Sequence, residues 1–134
     1  MKWIKVFAPA TIGNVGPGFD VLGMAVKKLG DIIEARRIPA GVKITAVTSP
    51  QRLTRDPAKN TAAIAARNVL ELIGMPGGIE MRIHKGLPLG SGLGSSAASA
   101  AAGAFAANHL YGSRLTRTQL ILPATKAEEV VSGA

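Results

Sequence analysis

Cysteine is absent from the sequence, aromatic residues make up only 4% of it, and acidic residues are half as numerous as basic ones. Without cysteine the chain can form no disulfide and offers no thiolate to a metal, so nothing points to an oxidising compartment. No uncharged apolar run reaches the roughly 18 residues of a membrane span, and the charged N-terminus does not have the pattern of a signal peptide. We therefore expect a soluble, cytoplasmic protein with no membrane partner.

The apolar fraction of 47% in 134 residues predicts one compact domain whose core is built from Ala, Val, Ile and Leu. The net charge of +8 fits either a nucleic acid or a small anion such as a nucleotide. Basic residues occur as the pairs 27–28 and 36–37 and as single residues, without long runs or interleaved aromatics. This pattern favours the small anion, and we expect no nucleic-acid partner.

Alternation of apolar and polar residues, with glycine and proline between the segments, predicts about five strands and three helices in an α+β domain. The strands are predicted at 3–8, 21–28, 31–38, 42–47 and 79–83, and the helices at 61–73, at 95–111 and after Thr116. Asn60 is a predicted N-cap, and Gly74 and Gly112 are predicted to end helices. Pro9 should end the first strand, and Pro123 should kink or interrupt the last helix.

The most distinctive segment joins the last predicted strand to the alanine-rich helix. Gly90, Gly92 and Gly94 lack the Cβ atoms that would keep an anion away from the backbone. Ser95 and Ser96 follow and offer hydroxyl groups at the start of the helix, where unpaired amides and the helix dipole favour negative charge. We therefore predict a phosphate-binding loop, against the simpler interpretation of a flexible turn capped by serine.

Two other glycine-rich loops do not match this segment. A P-loop requires lysine after its last glycine, but Gly94 is followed by Ser95. The dinucleotide-binding spacing G-x-G-x-x-G fails from either Gly90 or Gly92.

The segment 92–98, Gly-Leu-Gly-Ser-Ser-Ala-Ala with Pro88 before it, resembles the phosphate loop of the GHMP kinases. The first loop, 8–23, reads APATIGNVGPGFDVLG and is similar to the substrate loop of the homoserine kinases, one branch of that family. The Gly-Glu-His sequence that mevalonate kinases and galactokinases carry near this point is absent. The two motifs occur in the family's order, and the resemblance extends over essentially the whole chain.

The resemblance implies a set of site residues. Asn14 and Asp20 match substrate-binding positions, although both residue types also favour plain turns. Ser96 and Glu128 match the catalytic positions that hold Mg²⁺, with Glu129 as a competing candidate. The positions matching ATP contacts are Asn60, Lys85, Pro88, Gly90, Ser91, Gly92, Leu93, Gly94, Ser95, Ser96 and Ala97. Asn60 could instead be only a helix cap and Lys85 only a surface charge at the end of a strand, and His84 should face solvent.

The resemblance also implies the fold and the reaction. The fold is the ribosomal protein S5 domain 2-like N-terminal domain of a GHMP kinase, here spanning 1–134. The reaction is transfer of the γ-phosphate of ATP to L-homoserine in threonine biosynthesis, with ATP and Mg²⁺ required. The abrupt end at 131–134 predicts truncation before the C-terminal domain. Whether this chain is active by itself, and whether the full-length protein forms a homodimer, are therefore left open. The alternatives are another GHMP small-molecule kinase and a non-catalytic anion- or RNA-binding module of the same fold.

Overall fold

The computed structural model describes residues 2–12, 24–48, 54–85 and 95–132, with the backbone alone at 9–12, 24–29, 95–97 and 132. It contains four strands and three helices within these ranges. The strands are β1 (Ile4–Ile12), β2 (Met24–Ile38), β3 (Gly41–Thr48) and β4 (Gly78–His84). The helices are α1 (Thr61–Ile73), α2 (Ser95–Leu110) and α3 (Arg117–Ser132).

The strands form one mixed sheet in the order β1-β2-β4-β3. Antiparallel pairing joins β1 to β2 and β2 to β4, while β3 and β4 are parallel and are connected through α1. Inner-face residues alternate with outer-face residues, so that Ile79, Met81 and Ile83 are buried while Arg82 is exposed. The helices cover the inner face, and the α+β class is confirmed.

The prediction of five strands was wrong by one. The segments 21–28 and 31–38 were predicted as separate strands, but β2 continues through Gly30. The pairing with β1 jumps there, from Pro9 opposite Gly30 to Ala10 opposite Val26. The break in the sequence pattern therefore marks an irregularity of register within one strand rather than a turn.

Strand β1 does not end at Pro9, and helix α3 is not interrupted at Pro123. Strand β1 continues beyond Pro9, which is tolerated because β1 lies at the edge of the sheet, where fewer backbone N–H groups need partners. Helix α3 continues through Pro123, so the expected interruption is absent. Pro123 is buried, and its carbonyl oxygen accepts a hydrogen bond of 3.1 Å from Asn68 Nδ2 of α1.

Helix α1 and its caps follow the prediction. The backbone N–H of Ala63 donates to Asn60 Oδ1 at 3.2 Å, which satisfies one of the unpaired amides at the start of the helix. Gly74 ends the helix in the left-handed conformation, with φ of 73°, and its N–H donates to the Leu70 carbonyl. Gly112, which follows α2, also has a positive φ, of 96°.

Helix α2 is central to the helical layer and packs on β1, β2, α1 and α3. From Ala98 to Leu110 its exposed residues form one narrow stripe at i, i+4 spacing, Ala101, Phe105 and His109. The small buried residues allow close approach of the neighbouring backbone. A Cβ added at Gly103 would lie 2.2 Å from the carbonyl oxygen of Ala62 in α1.

No helix within the described ranges has both the length and the apolar character that crossing a membrane would require.

We predict that Gly103→Ala destabilises the fold. Alanine has the higher helix propensity, by about 1 kcal/mol, but its methyl group would force α1 and α2 apart. We expect a net loss of about 1–3 kcal/mol in the free energy of unfolding, measured by denaturant titration. Ala101→Ser, on the exposed stripe of the same helix, is the control and should change it by less than about 0.5 kcal/mol. A Gly103→Ala protein as stable as the parent would contradict this packing.

Candidate functional site

The candidate site lies where β4 ends and α2 begins, on either side of the glycine-rich segment 86–94. Lys85 directly follows β4, and its backbone N–H donates to the Thr48 carbonyl of β3 at 2.7 Å. The register of β2 and β4 pairs Ile32 with His84, so the next position along places Asp31 beside Lys85. Both side chains extend the buried inner row of their strands, because alternation gives every second residue to that face.

Asp31, Lys85 and Ser99 form a hydrogen-bonded cluster in which each side chain contacts the other two, and we call it the loop-base cluster. Lys85 Nζ lies 2.5 Å from Asp31 Oδ2 and donates to Ser99 Oγ at 2.7 Å, and Ser99 Oγ donates to Asp31 Oδ2 at 3.1 Å. The side chains of Lys85 and Asp31 are only 2% and 0% exposed. Since an isolated buried charge is very costly, the pair neutralises both groups inside the domain.

The position of Lys85 corrects one of the two expectations for this residue. Its side chain is buried, so the interpretation as a surface charge at the end of a strand was wrong. Asp31 and Ser99 were not identified from the sequence at all. The available signal was an acidic residue in the same alternating row as Ile33 and Ala35, a row that is otherwise apolar.

The start of α2 has the properties of an anion site. Helix α2 begins at Ser95, carries no acidic residue in its first turn, and presents amides there that have no partner within the helix. These features fit a phosphate group and do not fit a cation. The backbone of Ser95, Ser96 and Ala97 belongs to α2, whereas their side chains and the predicted contacts Pro88, Gly90, Ser91, Gly92, Leu93 and Gly94 lie outside the described residues.

Asn60, a predicted nucleotide contact, is buried and caps α1. Its Nδ2 also donates to the Thr54 carbonyl at 3.3 Å. Both ends of its amide are therefore used in holding the start of α1 to the segment before it. The predicted contact between Asn60 and the nucleotide stays a prediction.

The predicted metal ligands are only partly described. Glu128 is half-buried on α3, beside the buried face that contains Pro123 and Ala127, whereas Glu129 is exposed. Between the two carboxylates, this difference favours Glu128 as the one directed towards the rest of the domain. In the described part of the chain, no three His, Asp or Glu side chains come together as a metal site. The predicted substrate-binding residues Asn14 and Asp20 lie outside the described residues.

The outer face of the sheet carries charged side chains that pair with one another. Arg36 Nε donates to Glu80 Oε1 at 2.8 Å, and the guanidinium group of Arg82 stacks over the Trp3 ring at 4.1 Å. His84, expected to face solvent, is partly exposed there, with Nε2 hydrogen-bonded to Glu34 Oε1 at 2.8 Å. The basic side chains Arg36, Arg82 and His84 on this face therefore contact neighbouring acidic or aromatic side chains.

The carboxyl groups of these pairs have lowered pKa values. The hydrogen bond with His84 is the main cause for the pKa of Glu34, and the hydrogen bonds from Arg36 and then Thr45 are the main causes for that of Glu80. Because the pKa values are lower in the folded state, the pairs stabilise the fold above the ordinary carboxyl pKa. That stabilisation is lost as the pH falls through the folded values.

Comparison with known proteins agrees with this geometry. The family model for the GHMP kinases N terminal domain matches residues 60–134, which is more than half of the chain and includes α1, β4, the glycine-rich segment, α2 and α3. The chain belongs to the GHMP kinases.

Within that family, the chain is most usefully compared with homoserine kinases. It is 48% identical to the homoserine kinase of Arabidopsis thaliana, over 97% of this chain and 37% of the relative. The crystal structure of homoserine kinase from Cytophaga hutchinsonii aligns with a TM-score of 0.90 and 47% identity, over 100% of this chain and 44% of that one. The chain thus spans less than half the length of these relatives.

A mevalonate kinase structure from Methanococcus jannaschii aligns with a TM-score of 0.73 but only 18% identity, over 98% of this chain and 48% of that one. That similarity shows the shared fold alone.

Proposed function

We propose that this chain forms the phosphate-binding part of a homoserine kinase, which transfers the γ-phosphoryl group of ATP to the hydroxyl of L-homoserine and gives O-phospho-L-homoserine. The observation that carries the proposal is the high identity to homoserine kinases over nearly the whole chain. It is supported by the start of α2, which follows the glycine-rich segment directly and suits an anion. The first loop, 8–23, supports the choice of substrate, because its residue pattern is that of the homoserine kinase branch.

The start of α2 would hold the phosphates of the nucleotide. The backbone amides at the start of a helix can donate hydrogen bonds to phosphate oxygens. The helix dipole adds partial positive charge at the same place. Glycines at 90, 92 and 94 would let the backbone reach the phosphates. Phosphoryl transfer depends mostly on positioning and on electrostatic stabilisation, which are the contributions that this end of α2 can make.

Ser96 and Glu128 are the residues that would hold Mg²⁺. One hydroxyl and one carboxylate, with phosphate oxygens and water for the other positions, are typical of nucleotide-bound magnesium. When bound, the ion neutralises charge on the phosphoryl group that is transferred. Ser96 belongs to α2 and Glu128 to α3, and these two helices pack against each other.

Asp20 would bind the substrate ammonium through its carboxylate, and Asn14 would hydrogen-bond the amino acid through its amide. No residue of the sequence stands out as a general base for the substrate hydroxyl. Asp20 is poorly suited to that role, because a carboxylate paired with the ammonium is badly placed to take a proton from the distant hydroxyl. We therefore propose that the reaction proceeds without a dedicated base.

The proposed metal site predicts which carboxylate matters. In a full-length enzyme carrying this chain, Ser96→Ala and Glu128→Gln should each lower kcat strongly while leaving thermal stability nearly unchanged, because a lost ligand weakens stabilisation of the transferring group more than it weakens folding. Steady-state kinetics with varied Mg²⁺ measure the effect. Glu129→Gln is the matched control and should be nearly silent. If Glu129→Gln is damaging and Glu128→Gln silent, the assignment is off by one residue.

The proposed substrate site predicts dependence on the amine. Removing the amine leaves a desolvated carboxylate unpaired, which costs about 2–5 kcal/mol, so L-homoserine should be phosphorylated well and 4-hydroxybutyrate poorly. Asp20→Asn should reduce the difference in activity between L-homoserine and 4-hydroxybutyrate, mainly by lowering the activity on homoserine. Asn14→Ala should raise KM or lower kcat for homoserine with little effect on the affinity for ATP.

A coupled ADP-release assay with both substrates, and with mevalonate as a third, measures this preference. Better turnover of mevalonate, or indifference to the amine, would point to another member of the family and away from homoserine kinase.

A further inference from the structure

We propose that the loop-base cluster of Asp31, Lys85 and Ser99 is a positioning device that fixes the start of α2 relative to the end of β4. The inference rests on the proposed function, because it concerns where the phosphate-binding end of α2 is held. In this account Lys85 serves nucleotide binding through Asp31 and Ser99, rather than by placing its amine on the nucleotide.

The cluster joins three elements at one point. Asp31 belongs to β2, Lys85 directly follows β4, and Ser99 lies one turn into α2. Lys85 directly precedes the segment 86–94, and Ser99 lies four residues after the first residue of α2. The two ends of that segment are therefore tied together through a contact of 2.7 Å between Lys85 Nζ and Ser99 Oγ.

Apolar packing alone would specify this position weakly. The neighbours of Ser99 on the buried surface of α2 are small, namely Ala98, Ala100 and Ala102. Burial of such side chains is favourable but non-directional, so it resists separation of the helix from the sheet more than it resists sliding. Hydrogen bonds to a fixed ammonium and carboxylate are directional, and fixing register is the best-attested use of buried polar groups.

The burial of Lys85 argues against a direct contact with the nucleotide. Its amine is enclosed by the domain and already lies within hydrogen-bonding distance of a carboxylate and a hydroxyl. Extending the amine to a ligand would separate it from the carboxylate of Asp31, which is fully buried. That exchange is strongly unfavourable in a low-dielectric interior.

Ser99→Ala tests the inference with little change of volume, and Asn108→Ala is the matched control. Asn108 is another buried polar residue of α2, roughly 13 Å further along the helix, and its side chain exchanges hydrogen bonds of 2.9 Å with the backbone of Leu115. Both variants remove hydrogen bonds that anchor α2, but only Ser99→Ala does so at the phosphate-binding end.

Two readouts are measured in a full-length enzyme that carries this chain. The first is the KM for MgATP and for homoserine, together with the Kd for MgATP by calorimetry. Ser99→Ala should weaken MgATP binding about tenfold, the factor that corresponds to one hydrogen bond to a charged group. The KM of Ser99→Ala for homoserine should stay within about twofold, because the proposed substrate residues belong to the first loop, 8–23. All constants of Asn108→Ala should also stay within about twofold, because that change leaves the start of α2 in place.

The second readout is amide hydrogen exchange without nucleotide. Ser99→Ala should speed exchange in the first turns of α2, at 99–102, whereas Asn108→Ala should speed it only near the other end. Unchanged exchange at 99–102, or an equal loss of MgATP affinity in both variants, would overturn the inference. If the parent enzyme binds no MgATP, the proposed function fails, and the exchange data alone then decide whether the cluster positions the helix.

Discussion

The buried ion pair between Lys85 and Asp31 is the constraint on which the arrangement of this domain depends. Two charges at the end of an otherwise apolar sheet face are tolerated because they pair with each other and both contact the hydroxyl of Ser99. The ion pair requires the observed register between β2 and β4. Its contacts with Ser99 also require the observed position of α2 along the sheet. One local electrostatic requirement thus links strand pairing to helix placement, and helix placement to the position of the glycine-rich segment.

Close packing of the helical layer acts together with that requirement. Gly103 lets α2 lie against the backbone of α1 at Ala62, and the buried alanines of both helices leave little room between the layers. At the far end of α2, Tyr111 OH donates to the Gly78 carbonyl at 2.7 Å, at the start of β4. Two hydrogen bonds therefore hold α2 to β4. Ser99, near the start of the helix, contacts Lys85 just after the strand, and Tyr111, just after the helix, contacts Gly78 at the start of the strand. A rigid helix is a suitable base for a site whose chemistry depends on positioning.

Local features of the chain were predictable because they depend on short-range chemistry. Asn60 and Gly74 cap the two ends of α1, and Thr116 caps the start of α3 through a reciprocal pair of hydrogen bonds with Gln119. The four-stranded sheet was less accessible, because whether β2 stops or continues at Gly30 depends on its pairing with β1. The continuity of α3 through Pro123 likewise depends on packing against α1.

The loop-base cluster joins residues 54 and 68 positions apart, and no local pattern reports such contacts. The family motifs predicted the candidate site, although most of its loop residues lie outside the described part of the chain.

The proposed function requires a nucleoside triphosphate to bind at the start of α2 through the glycine-rich segment before it. The most direct measurement is the affinity for MgATP of Gly94→Val, determined by calorimetry on protein whose fold is verified by circular dichroism. A branched side chain at this position should keep the phosphates from the backbone amides, so we expect Gly94→Val to abolish binding. Unchanged affinity in a folded Gly94→Val protein would contradict it.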